Sequence, residues 1–188
     1  VLVAIFAPLL CAIFDVDPET NYTDQLDDLG FPDGPWANAS WDHPFGVEPG
    51  LGRDIFARTV YGARYSLTIA LLATILTVGL GIVAGIIAGF RGGWMDTLIS
   101  RSMDILLAFP VLLFSIAALV IVGQAQWYKE SVVYQILFMT FVIGFFGWPY
   151  IGRIIRGQVL SLREKEFVDA ARSLGASTNR ILFKELLP

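Results

Sequence analysis

With 188 residues, 55% of them hydrophobic, only 16% charged and a mean hydropathy of +0.64, the chain has too little polar surface to coat a single water-soluble core. The composition is that of a membrane protein. A formal net charge of -4 gives no sign of a nucleic-acid partner, and a single cysteine, Cys11, excludes an internal disulfide.

Val1 to Phe14 is an uncharged apolar run containing Pro8. At roughly 1.5 Å per residue it reaches about 21 Å, short of a hydrocarbon core of about 30 Å, so residues 1–14 read as the later part of a first span. A signal peptide fits less well, because the run has no starting Met, no basic leader and no small-x-small cleavage site. Residues 15–64 read as a long external loop, acidic and rich in Pro, Gly and Trp. Asp15, Asp17 and Glu19 alternate as in a calcium loop, but Thr20 stands where an EF-hand needs glycine, so the loop is read as solvated and metal-free. His43 precedes Pro44 without a second His or Cys nearby and is read as structural.

The second span covers about residues 66–90, where Ser66 to Phe90 carries no charge. Gly81, Gly85 and Gly89 recur every four residues, continuing Thr77, and mark a face where another helix packs backbone to backbone. Arg91, Gly92, Gly93 and Trp94 make a tight turn. The third span covers about 98–123, with Arg101 and Asp104 on one face at its mouth. Phe109-Pro110 interrupts it: Pro110 has no N–H for the carbonyl of Leu106, and a kink suited to gating is expected. Gln124 to Glu130 returns the chain through water, and the fourth span, about 131–152, carries Gly144, Gly147 and a second expected gating kink at Pro149.

A cytoplasmic loop of about 157–188 follows. Phe167, Val168, Ala170, Ala171 and Leu174 fall at helical spacing, Gly175 suits a left-handed helix end, and Ser177 caps a second helix striped by Ile181, Leu182, Leu186 and Leu187. Residue pattern alone leaves open whether this hairpin lies on a membrane surface or docks a partner. Arg91, Arg101, Arg153, Arg156, Arg163, Lys165, Arg172, Arg180 and Lys184 put this end in the cytoplasm, while the loop of residues 15–64 holds ten carboxylates and faces out.

Several activities lack their residues. There is no Gly-rich phosphate loop ending in Lys-Ser or Lys-Thr, the central parts of the spans hold no Asp, Glu, His, Lys or Arg for a proton relay, and no Gly-x-Ser-x-Gly segment is present. These absences argue against ATP binding by this chain, a proton-coupled carrier and a membrane hydrolase.

Asp169-Ala170-Ala171, Gly175 after three intervening residues, and Leu187-Pro188 resemble the EAA loop of ABC importer permeases. Asp169 stands in place of the usual glutamate and Glu185 in place of a common isoleucine. His43-Pro44-Phe45-Gly46, then Leu51-Gly52-Arg53-Asp54 and Tyr61-Gly62-Ala63-Arg64, is similar to the approach to the second span in the dipeptide and oligopeptide branch, with a turn one residue longer. The resemblance implies an all-α polytopic membrane bundle of the type I ABC importer permease class, with a permease core at residues 65–188 and with the start of the first span and the last two spans missing. It implies docking to an ATPase subunit through Glu166, Asp169, Ala170, Ala171 and Gly175, the charged contact passing to Glu166 or made by the shorter Asp169. The implied partners are a homologous permease subunit in a heterodimer, two ATPase subunits that hold ATP and Mg, and an external solute-binding protein; no cofactor is expected on this chain. The expected substrate is a di- or oligopeptide moved by alternating access. A permease for nickel or another small solute, a passive channel or gradient-driven carrier, and a scaffold without transport activity are the alternatives. The sequence assigns no substrate-binding residue.

Overall fold

In the computed structural model residues 1–176 and Arg180 are described, except for the side chains of Asp169, Ala171 and Arg172. The second helix of the hairpin, with Ser177, Ile181, Leu182, Leu186 and Leu187, lies outside the described residues, as do Glu185 and Leu187-Pro188. Among the described residues the fold is all-α, with isolated antiparallel bridges but no strand. The chain forms two units, Val1–Ala70 and Leu71–Pro188.

In the first unit, short helices α1 (Leu2–Ile5) and α2 (Ala7–Ile13) meet at Phe6. Pro8 sits in the first turn of α2, where its missing N–H has no intrahelical partner to lose. Buried Cys11, Val16 and Ala57 pack with Phe14, Phe56 and Tyr61. Phe14 meets Phe56 edge-on at 5.2 Å and Trp41 at 6.0 Å between ring centres. The loop contains α3 (Pro35–Asn38), a single turn in which Trp36, Ala37 and Asn38 take positive φ values of 57°, 58° and 58°. The Val47 N–H donates to the Ala37 carbonyl at 2.8 Å and Asn38 Nδ2 donates to Gln25 Oε1 at 2.6 Å, which holds that turn.

Helix α4 (Ile55–Arg91, 37 residues) starts well before the uncharged run that opens at Ser66. The reason is Asp54, whose Oδ1 accepts the Ala57 N–H at 2.6 Å and so satisfies a donor of the first turn. Residues up to 64, expected as loop, therefore include the opening turns of a helix.

The second unit holds the remainder of α4, then α5 (Gly93–Ala108), α6 (Val111–Val122), α7 (Gln126–Glu130), α8 (Val132–Leu162, 31 residues) and α9 (Glu166–Ser173). Helices α4 and α8 are long and apolar enough to cross a membrane, and α5 with α6 passes the same test as one span bent by 75°. The interruption is a break where a kink was expected. Phe109 is extended at ψ 133°, Pro110 cannot donate to Leu106, and the helix restarts at Val111. Phe109 stacks on Phe146 of α8 at 5.5 Å, and Phe114 of α6 lies 5.1 Å from the same ring. Helix α8 passes through fully buried Pro149 and continues to Leu162, beyond the 152 expected for the end of its span.

Candidate functional site

The site is the end of the second unit where α4, α5 and α8 converge ahead of α9. Glycines make the convergence possible. A Cβ built on Gly81 would lie 2.6 Å from the Ile151 Cβ, on Gly85 2.7 Å from the Gly152 carbonyl oxygen, and on Gly89 2.8 Å from the Val159 Cβ. The three glycines thus face α8, and the backbones run closer than any side chain allows. Higher on the same seam, Thr77 Oγ1 donates to the Gly144 carbonyl at 3.3 Å, and a Cβ on Gly144 would meet Leu76 at 2.7 Å. Residue numbers rise together along this contact, so α4 and α8 are parallel.

The other side of α8 receives α5. Met103, 1% exposed, fills the notch over Gly152, where a Cβ would meet its methyl group at 2.6 Å. Arg156 of α8 forks onto Asp96 of α5, Nε to Oδ1 at 2.5 Å and Nη2 to Oδ2 at 2.8 Å, and Ser100 Oγ donates to the same Oδ1 at 3.1 Å. Arg153 Nη2 reaches Asp104 Oδ1 at 2.6 Å, with Arg101 4.0 Å from the other oxygen. Asp96 pairs with Arg156 and Asp104 with Arg153, so α5 and α8 are antiparallel. Arg163 Nη1 donates to the Gly89 carbonyl at 3.1 Å, giving the last turn of α4 a donor that the helix itself cannot supply.

These pairs differ in weight. Arg156 and Asp96 keep 31% and 21% of their side-chain surface, against 56% and 52% for Arg153 and Asp104. The first pair is two-pronged and shielded, so it contributes more than the solvated second.

Only Arg163, Glu164 and Lys165 lie between α8 and α9. On α9, Val168 is fully buried, while Glu166 and Ala170 are exposed and Phe167 is half-exposed. Gly175 takes φ +77°, the left-handed position that ends a helix. Asp169 and Ala171 lie on α9 between Val168 and Ser173. Pro110 lies at the α5–α6 break and Pro149 inside α8, between Phe146 and the Gly152 notch. Among the described residues no three His, Cys, Asp or Glu side chains converge as a metal site would require.

In the sequence Arg153, Arg156 and Arg163 mark orientation without naming their partners, and Asp96 and Met103 belong to no motif. The available signal was an acid in the first turn of one helix and a base near the end of the next helix to leave the membrane on that side, though nothing local fixes their register.

A family model described as "Binding-protein-dependent transport system inner membrane component" matches residues 81–188. Over all 188 residues the chain is 40% identical to the dipeptide transport system permease protein DppC of Alkalihalophilus pseudofirmus. It is likewise 39% identical to the oligopeptide transport system permease protein OppC of Bacillus subtilis and 38% identical to the glutathione transport system permease protein GsiD of Escherichia coli. It covers 54%, 54% and 55% of those proteins, so the chain spans about half the length of the curated relatives it matches.

Proposed function

The chain belongs to the family of binding-protein-dependent transport system inner membrane components, and on that footing we propose that it is permease machinery of an ATP-driven importer of short peptides. The relatives named for dipeptides, oligopeptides and glutathione support that substrate class. A homologous permease subunit completes the pathway, two ATPase subunits hold ATP and Mg, and an external binding protein delivers the peptide. The loop of residues 15–54 faces out and α9 faces the cytoplasm, as the basic residues beyond α8 favour.

The observation that carries the docking assignment is α9 itself. It is a short helix three residues past a membrane-crossing one, with Val168 turned inward, small Ala170 exposed and Gly175 closing it. An exposed alanine lets a partner's backbone come close, and exposed Glu166 supplies charge one turn earlier on the helix. Glu166, Asp169, Ala170, Ala171 and Gly175 are the residues assigned to ATPase contact. Force made by ATP hydrolysis in another polypeptide enters here and opens the pathway alternately to each side.

The test is ATP-driven uptake of a radiolabelled dipeptide by proteoliposomes holding the complete complex. Ala170→Arg should abolish uptake while the subunit still inserts, and Ala170→Cys should cross-link to an ATPase subunit. Normal uptake by Ala170→Arg overturns the docking assignment.

A further inference from the structure

Helix α8 is bound to its neighbours very differently at its two levels. Near α9 the bonds are directional. The planar Arg156 fork engages both oxygens of Asp96 at 2.5 and 2.8 Å, Ser100 braces that carboxylate, and Met103 is seated over Gly152. Arg163 adds α4 through the Gly89 carbonyl at 3.1 Å. A fork of this kind cannot slide along the partner helix without losing both bonds together. At the α5–α6 break Phe109, Phe114 and Phe146 form an aromatic cluster with ring centres 5.1–5.5 Å apart. Stacked rings tolerate sliding, and Pro110 has already removed the helical hydrogen bond that would stiffen the joint.

We propose that Arg156 and Asp96 are positioning residues that lock the α9-proximal ends of α4, α5 and α8 into one block, so that displacement of α9 is delivered to the Phe109–Pro110 joint. Without the lock, α8 follows α9 while α5 slips beside it, and the broken span stays where it was. Hydrolysis then proceeds with little peptide moved. The proposal rests on the permease reading above and adds the residues that carry force between the spans.

The experiment compares peptide transported per ATP hydrolysed, in proteoliposomes of the complete complex, for wild type, Arg156→Gln, Asp96→Asn and the exchange Asp96→Arg with Arg156→Asp. Each single variant should lower that ratio about fivefold or more with the hydrolysis rate kept, and the exchange should restore it. An unchanged ratio, or hydrolysis and uptake falling together, overturns the proposal. Spin labels on exposed Thr97 and Gln158 in the otherwise native complex give a second reading that does not depend on how the variants fold. Their separation should stay within about 2 Å between nucleotide-free and ATP-trapped states, and a larger change overturns the block. A wild-type complex without ATP-driven uptake would fail the permease reading; wild-type uptake with an unchanged ratio in the variants fails only the lock.

Discussion

His43 Nδ1 lies 2.8 Å from Asp54 Oδ2 in the first unit, and both side chains are buried. The other oxygen of the same carboxylate holds the Ala57 N–H, so one side chain both pins the loop and starts α4. Tyr22 covers the imidazole edge-on at 4.5 Å.

Removing Asp54 should therefore cost more than either bond alone. Asp54→Ala leaves a buried imidazole unpaired and a helix start uncapped, with an expected loss of about 3 kcal/mol. Asp54→Asn keeps an acceptor for Ala57 and should lose less. Thermal unfolding in detergent, with limited proteolysis between residues 15 and 54, ranks the two; equal losses would mean that the cap contributes nothing.

The glycine seam separates backbone from side-chain obstruction. Gly85→Ala drives a methyl group against the Gly152 carbonyl, which cannot move without shifting α8, and should destabilise by about 1–3 kcal/mol. Gly152→Ala presses on the end of Met103, which can swing aside, and touches the Trp148 ring at ordinary contact distance, so it should cost distinctly less. Gly79→Ala, whose added Cβ meets nothing within 4 Å among the described residues, should be neutral or gain about 0.5–1 kcal/mol from helix propensity. Denaturant titration of the three variants gives the order.

The left-handed turn of the outer loop carries a cost that can be relieved. Ala37→Gly removes a Cβ held at φ 58° and should stabilise the loop by up to about 1 kcal/mol. Gly46→Ala should do the reverse and more strongly, since its Cβ would collide with the Ala37 carbonyl oxygen and its φ is +73°. Hydrogen exchange of the amides at residues 37–47 reports both.

The bend at Phe109–Pro110 is attributed to the missing N–H, and that is testable. Pro110→Ala restores a donor for Leu106, and spin labels on exposed Ile105 and Ile116 should move apart toward about 16 Å, the rise of eleven helical residues. An unchanged separation would assign the bend to the Phe109, Phe114 and Phe146 cluster instead.

The spans were legible because burial in lipid demands long uncharged runs, and Ser66 to Phe90 supplies one with no competing pattern. The helix of the C-terminal loop was legible from the spacing of its apolar residues, and α9 leaves Glu166 and Ala170 exposed. The early start of α4 was not, because it depends on Asp54, whose second oxygen is occupied by a histidine eleven residues earlier. Nor was the break at Pro110, since a proline alone leaves kink and break undecided and Phe146, on another helix, takes up the extended residue's ring. Asp96 and Arg156 stand 60 positions apart, and only tertiary packing sets their register.

Helices α4 and α5 are joined through Gly92 alone, whose φ 65° and ψ -159° admit essentially no other residue. One inserted residue at this corner would rotate α5 by about 100° about its own axis and swing its acid away from the guanidinium it serves. Hairpin length is therefore under the same constraint as side-chain chemistry. A relative that lengthens the corner must carry a compensating carboxylate at a shifted position, and insertion mutants here should be rescued by moving the acid rather than by restoring the glycine.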